Sequence, residues 1–115
     1  MSDRVRISSV ESEPNAARVA IEGELDLETV GAVDLTLRDL AADHVELDLG
    51  GVTFCDSRGI ECIVRHRVAR RDEKRDLLLV RRSEPVERVL SAANLHRFFD
   101  ADPEPRPVAP PDRDG

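Results

Sequence analysis

The chain has no tryptophan and no tyrosine, and three phenylalanines bring aromatics to only 3% of 115 residues. A core must therefore be aliphatic, and a hydrophobic share of 40% supplies the Val, Leu, Ile and Ala for it. Cysteine is almost as scarce. Cys55 and Cys62 are the only two, too few and wrongly spaced for a zinc site or a redox pair, so both are expected as buried, reduced thiols. An excess of positive charge is also missing, since the formal net charge is −7. Phosphate binding needs clustered cations, which argues against nucleic acid and for a protein partner. No apolar run approaches the roughly 18 residues of a membrane span, and no signal-peptide pattern opens the sequence. Membrane binding is not expected, and the cytoplasm is the expected compartment. Internal repeats are absent.

What is present fits one small, well-solvated domain with 36% charged residues. "RVRISSV" and "ARVAIEG" alternate apolar residues, and "ESEPNA" between them has turn composition, which predicts a hairpin. Leu27, Val30, Val33, Leu37 and Leu40 recur at helical spacing. Asp26 is the expected N-cap of that helix, with Glu28 in its first turn. "VELDL" (Val45–Leu49) predicts a third strand. The helix after it carries Ile60, Ile63, Val64 and Val68 on one side, with Glu61 and Arg65 as an i,i+4 pair. "LLLV" (Leu77–Val80) reads as a strand covered on both faces. A last helix follows, capped by Ser83 and stopped by a left-handed Asn94, with Phe98 and Phe99 on the core. From Ala101 the proline-rich, charged "ADPEPRPVAPPDRDG" predicts a disordered tail. The domain is thus expected over residues 1–100 and the tail over 101–115.

The order β-β-α-β-α-β-α predicts an α/β fold with a mixed, mostly parallel four-stranded sheet. Parallel strands send their C-terminal loops to one edge, which gathers Asp26, Asp56, Ser57 and Ser83. Ser57 has three readings. In the first, it or Asp56 simply caps the helix that follows. It resembles a hydrolase nucleophile in position, yet Cys55-Asp56-Ser57-Arg58-Gly59 lacks the first glycine of G-x-S-x-G. His66 is about 180° round the helix from it, and neither His44 nor His96 falls nearby. Thirdly, it can be a phosphorylation switch, with Gly59 allowing a partner's backbone to approach. The cations Arg65, Arg67, Arg70, Arg71, Lys74 and Arg75 read as a solvated helix end, or as a surface for an acidic partner.

"GELDLETV" followed by "VELDLGGVTFCDSRG" resembles the STAS domain of bacterial anti-sigma factor antagonists, and the likeness runs from about Val5 to Phe99. The resemblance implies a non-enzymatic switch. The unphosphorylated antagonist binds an anti-sigma factor that is itself a serine kinase and so frees a sigma factor. Phosphorylation ends the complex, and a serine phosphatase restores it. Carried onto this chain, Ser57 is the phosphosite, Asp56 its acidic neighbour and Asp26 the acid of the facing loop. Arg58, Gly59 and Glu61 complete the partner surface. No cofactor or metal is implied; ATP belongs to the partner, and no Gly-rich phosphate cradle is present here. Arg58 departs from the family's usual Ser or Thr, and Glu61 from a small residue, which bears on partner choice. The alternatives are a STAS scaffold subunit that works without phosphorylation and a small serine hydrolase. The sequence leaves the oligomeric state open.

Overall fold

Alternating apolar residues on a strand bury one face and leave the other to water, and the second strand shows this directly. Ala17, Val19 and Ile21 are buried while Arg18 and Glu22 are exposed. The computed structural model describes residues 4–12 and 14–100. The tail from Ala101, with the disorder expected of it, lies outside the described residues. The elements are β1 (Val5–Ser12), β2 (Ala16–Leu25), α1 (Val30–Asp39), β3 (His44–Cys55), α2 (Ser57–Asp72), β4 (Asp76–Arg82), α3 (Glu84–Ala92) and α4 (His96–Asp100). The sheet order is β1-β2-β3-β4. β1 pairs antiparallel with β2, and the other two pairings are parallel. This is the mixed, mostly parallel sheet that the sequence predicts.

One face of the sheet is covered. Val19, Ile21, Val45, Leu47, Leu49 and Leu77 meet Val33 and Leu37 of α1, Ile60 and Ile63 of α2, and Val86 and Leu90 of α3. Each fully buried Leu, Ile or Val stabilises by about 1.5–3 kcal/mol, so these aliphatic side chains replace the missing aromatics. The other face carries solvated ion pairs such as Arg18–Glu46 at 3.0 Å and Arg81–Asp48 at 3.2 Å. The expectation that β4 is covered on both faces is therefore corrected. Leu77 is buried, but Val80 is 38% exposed, because β4 is an edge strand of a sheet with helices on one side.

Two further boundaries move. β3 does not stop at Leu49 but runs through Gly50 and Gly51 to Cys55. Ala20 faces Asp48, yet Glu22 faces Gly51, so β3 absorbs an extra residue there and another between Val52 and Phe54. Such bulges break alternation without ending a strand. α1 begins at Val30 rather than after Asp26, and Leu27 is 61% exposed instead of joining the apolar stripe. At the end of α3 the expectation holds. Asn94 has φ 61°, and the Leu95 N–H reaches back to the Leu90 carbonyl at 2.8 Å. This is the double-turn closure that a left-handed residue permits. Ser83 takes the N-cap position, but its hydroxyl makes no capping bond.

The basic cluster is not simply a solvated helix end. Arg67 and Arg70 are buried, at 3% and 4% exposure. Arg70 donates to the carbonyls of Ala42 (3.0 Å) and Leu40 (3.3 Å). Arg75 donates to Leu40, Ala41 and Ala42. Together they satisfy the oxygens left open where α1 ends. Arg67 donates to the Leu77 carbonyl and lies 5.1 Å and 5.3 Å from the ring centroids of Phe98 and Phe99. Burial pushes its guanidinium down to about 10, still charged at neutral pH. α4 is thus held by a cation against two aromatic rings. Replacing Arg70 with Met should cost about 1–2 kcal/mol in urea unfolding, because two buried carbonyls lose a charged donor. Arg75 still reaches both oxygens, so the Arg70→Met, Arg75→Met pair should lose more than the sum of the single variants. Among the described residues, no helix is long and apolar enough to cross a membrane.

Candidate functional site

β2 and β3 finish side by side. Leu25 is opposite Cys55, and the Asp56 N–H donates to the Leu25 carbonyl at 3.2 Å. The two chains leave the sheet together, which brings the loop starting at Asp26 beside the start of α2. Ser83 does not join them. β4 ends with Arg82 opposite Leu49, while β3 runs on to Cys55.

Asp56 is the N-cap of α2. Its carboxylate accepts the N–H groups of Arg58 at 3.0 Å and Gly59 at 3.2 Å. A helix start has four N–H groups without internal partners, and an aspartate here satisfies two of them. This division of roles leaves Ser57 as the first helical residue, exposed, with its hydroxyl outside the cap. Arg58 gives Asp56 only its backbone N–H. Among the described residues its guanidinium forms no ion pair, and Glu61 and Arg65 form none with each other. Gly59 is buried, and a Cβ there would stand 2.5 Å from Leu25 Cγ and 2.8 Å from Leu25 O. It therefore faces inward and lets α2 start close against β2. It positions the exposed residues around it instead of meeting a partner's backbone.

Asp26 is not the N-cap of α1; Thr29 takes that position. Asp26 Oδ1 instead accepts from Glu28 N–H (3.0 Å) and Thr29 N–H (3.1 Å), closing a turn ahead of the helix. The Thr29 hydroxyl donates to the Glu24 carbonyl at 2.8 Å. Arg4, which sequence reading missed, forms ion pairs with Glu24, Asp26 and Glu28 at once. The signal available was three acids at alternate positions, 24, 26 and 28, which need a cation wherever the chain draws them together. Burial pushes the Asp26 carboxyl up, but the Thr29 and Glu28 N–H groups and the Arg4 charge outweigh it, and the net direction is down.

A folded-state value below the unfolded one, about 3.9, stabilises fully above that unfolded value. The contribution is lost as pH falls through the folded value. Unfolding midpoints followed from pH 5 down to pH 2 should therefore drop less steeply for Asp26→Asn than for the parent chain. Equal slopes would assign acid sensitivity to other groups.

Ser57 borders a groove between α2 and α3 of about 430 Å³, whose floor is Ile60, Val64, Val89 and Leu95 and whose rim is Glu61 and Arg65. At the same end of the sheet Phe54, opposite Glu24, is 50% exposed, as is Leu27 at 61%. Each of the three histidines is held by a carboxylate, so none is shown serving Ser57 as a general base. His66 Nε2 is on Asp34 at 2.7 Å, His44 on Asp76 at 3.2 Å and His96 on Glu87 at 3.0 Å. Both thiols are buried and free, as expected. Burial pushes Cys55 up to about 12, with the Asp56 charge adding to it, and burial also raises Cys62.

The fold and this edge define a one-sided α/β domain that presents an exposed serine at a helix start. A family model described as Mlab, STAS domain, matches residues 8–100. The chain belongs to the STAS domain family. Several solved structures share its fold. An anti-sigma factor antagonist from Mycobacterium paratuberculosis superposes with a TM-score of 0.69, at 19% identity over 86% of each chain. The anti-sigma factor antagonist SpoIIAA, in its unphosphorylated form, gives 0.66 at 16% identity, over 78% of this chain and 82% of the other. The STAS domain of an antisigma-factor antagonist from Rhodobacter sphaeroides gives 0.58 at 16% identity, over 76% and 92%. No curated protein matches the chain by sequence.

Proposed function

We propose that this chain is a cytoplasmic anti-sigma factor antagonist, a non-enzymatic switch set by phosphorylation of Ser57. The observation that carries the reading is the exposed Ser57 hydroxyl, relieved of capping by Asp56 and placed on the rim of an apolar groove. In the unphosphorylated state an anti-sigma serine kinase covers this edge, its apolar side chains entering the groove and meeting Phe54 and Leu27. Exposed apolar surface of this kind marks interaction sites. The kinase then transfers a phosphoryl group to Ser57, adding about −1.5 to −2 charges. α2 tolerates the charge, because a helix start favours an anion by about 0.3–1 kcal/mol. The complex does not tolerate it, since the contact must desolvate a dianion beside Asp56. Arg58 offsets part of that charge, and Glu61 adds to it. A serine phosphatase resets the switch.

The reading is tested by incubating the chain with a candidate anti-sigma kinase and ATP and following phosphorylation on a Phos-tag gel. A retarded band that disappears in Ser57→Ala is the expected result. Retardation that survives in Ser57→Ala would reject Ser57 as the phosphosite. A second reading, a STAS subunit that assembles a larger complex without phosphorylation, draws on the same apolar groove. It predicts equal partner binding whatever stands at position 57.

A further inference from the structure

Away from the Ser57 edge, Asp34 of α1 and Cys62 and His66 of α2 each present a metal-ligating atom, all within 4.8 Å of one another. Cys62 and His66 are four apart on one helix and so face the same way. His66 Nε2 lies 2.7 Å from Asp34 Oδ1, and Asp34 Oδ2 holds Arg38 at 2.7 Å. Cys62 is fully buried, while the His66 and Asp34 side chains are 15% and 30% exposed. The thiol thus forms a dry floor, and the cluster opens to solvent on the Asp34 side. Cys55 is not part of this cluster; the fold supplies the other ligands from His66 and from a second helix.

We propose that Asp34 Oδ1, Cys62 Sγ and His66 Nε2 bind one zinc ion, with water as fourth ligand, and that the ion clamps α1 to α2. The donor set of one sulfur, one nitrogen and one oxygen suits zinc, which is four-coordinate with such mixtures. Thiolate and carboxylate together cancel the ion's two positive charges, leaving a neutral site beside Arg38 and Arg65. Tetrahedral coordination at zinc bond lengths puts ligand atoms about 3.3–3.6 Å apart. Asp34 and His66 must open by about 0.6 Å, and the sulfur must close by up to about 1.2 Å, to reach those spacings. On binding, the ion takes the place of the hydrogen bond between Nε2 and Oδ1. Nε2 ligates through its lone pair with the imidazole's one hydrogen on Nδ1, and the thiol proton leaves to solvent. Arg38 on Oδ2 then fixes the carboxylate from outside, as outer-shell partners do at metal sites.

Cobalt(II) reports this geometry by absorption. Titrated into the full chain, it should give a thiolate-to-cobalt charge-transfer band and intense visible bands of tetrahedral coordination, saturating at one equivalent and bleached by one equivalent of zinc. Cys62→Ser should lose the charge-transfer band, whereas Cys55→Ser keeps it. His66→Gln should weaken cobalt binding at least about 100-fold, beyond the 10–100-fold that outer-shell residues contribute. Circular dichroism reports whether each variant folds. Should Cys62→Ser fail to fold, His66→Gln carries the test alone. An octahedral spectrum without a thiolate band, or an unchanged affinity in His66→Gln, would overturn the site.

Discussion

Ser57→Asp should weaken binding to the anti-sigma partner by between thirtyfold and several thousandfold, while Ser57→Ala binds as the parent chain does. The magnitude follows from placing an unpaired charge in a desolvated contact, which costs a complex about 2–5 kcal/mol. Both variants should keep the parent's circular dichroism, because Asp56 Oδ1, not the serine, accepts the first N–H groups of α2. A calorimetric or interferometric titration of the three forms against one partner checks this. If all three bind alike, Ser57 is no switch, and the assembly-subunit reading takes its place. The chain's own Arg58 blunts the effect where its guanidinium turns toward the new carboxylate. Ser57→Asp combined with Arg58→Ala should therefore bind more weakly than Ser57→Asp alone.

Gly23→Ala should destabilise the fold by about 3–5 kcal/mol, a large part of the roughly 5–15 kcal/mol that a domain has. Two causes add. Gly23 has φ +102°, a conformation that side chains rarely adopt, and the new Cβ would stand 2.2 Å from the Arg4 carbonyl oxygen. That oxygen accepts the Glu24 N–H at 2.7 Å, so it cannot retreat without breaking a backbone bond. The same strand end places Arg4 under Glu24, Asp26 and Glu28, and the variant should loosen that loop first. Thermal denaturation should show a midpoint lowered by roughly 12 °C or more, taking about 4 °C per kcal/mol for a domain of this size. A shift of only a few degrees would mean that β1 can peel away and relieve the clash.

Strand pairing and core were legible because alternation survives wherever a sheet has one covered face: Val19 with Ile21, and Val45 with Leu47 and Leu49, fall where expected. Asn94 was legible because few residues accept its backbone conformation. Alternation fails where bulges enter, so the outer half of β3 carries no strand pattern in the sequence. The Asp56-Ser57 helix start was legible from local chemistry. Arg4 was not, because it meets Asp26 across a sheet pairing that no local pattern records. Arg67 and Arg70 were misread as solvated for a related reason. A cation is buried only when distant carbonyls and rings are ready for it, and spacing along one helix carries no trace of the Leu40, Ala42 and Leu77 oxygens. The Asp34, Cys62 and His66 cluster was hidden in the same way, since one of its members comes from another helix.

The carboxylate at the mouth of α2 has an evolutionary consequence. Since the neighbouring position contributes nothing to holding the helix closed, its side chain can be exchanged with almost no change in folding free energy. Helix closure is thereby assigned to Asp56 and leaves the adjacent side chain free of it. Substitutions at position 57 can therefore switch that hydroxyl's role on or off without first acquiring compensating substitutions elsewhere.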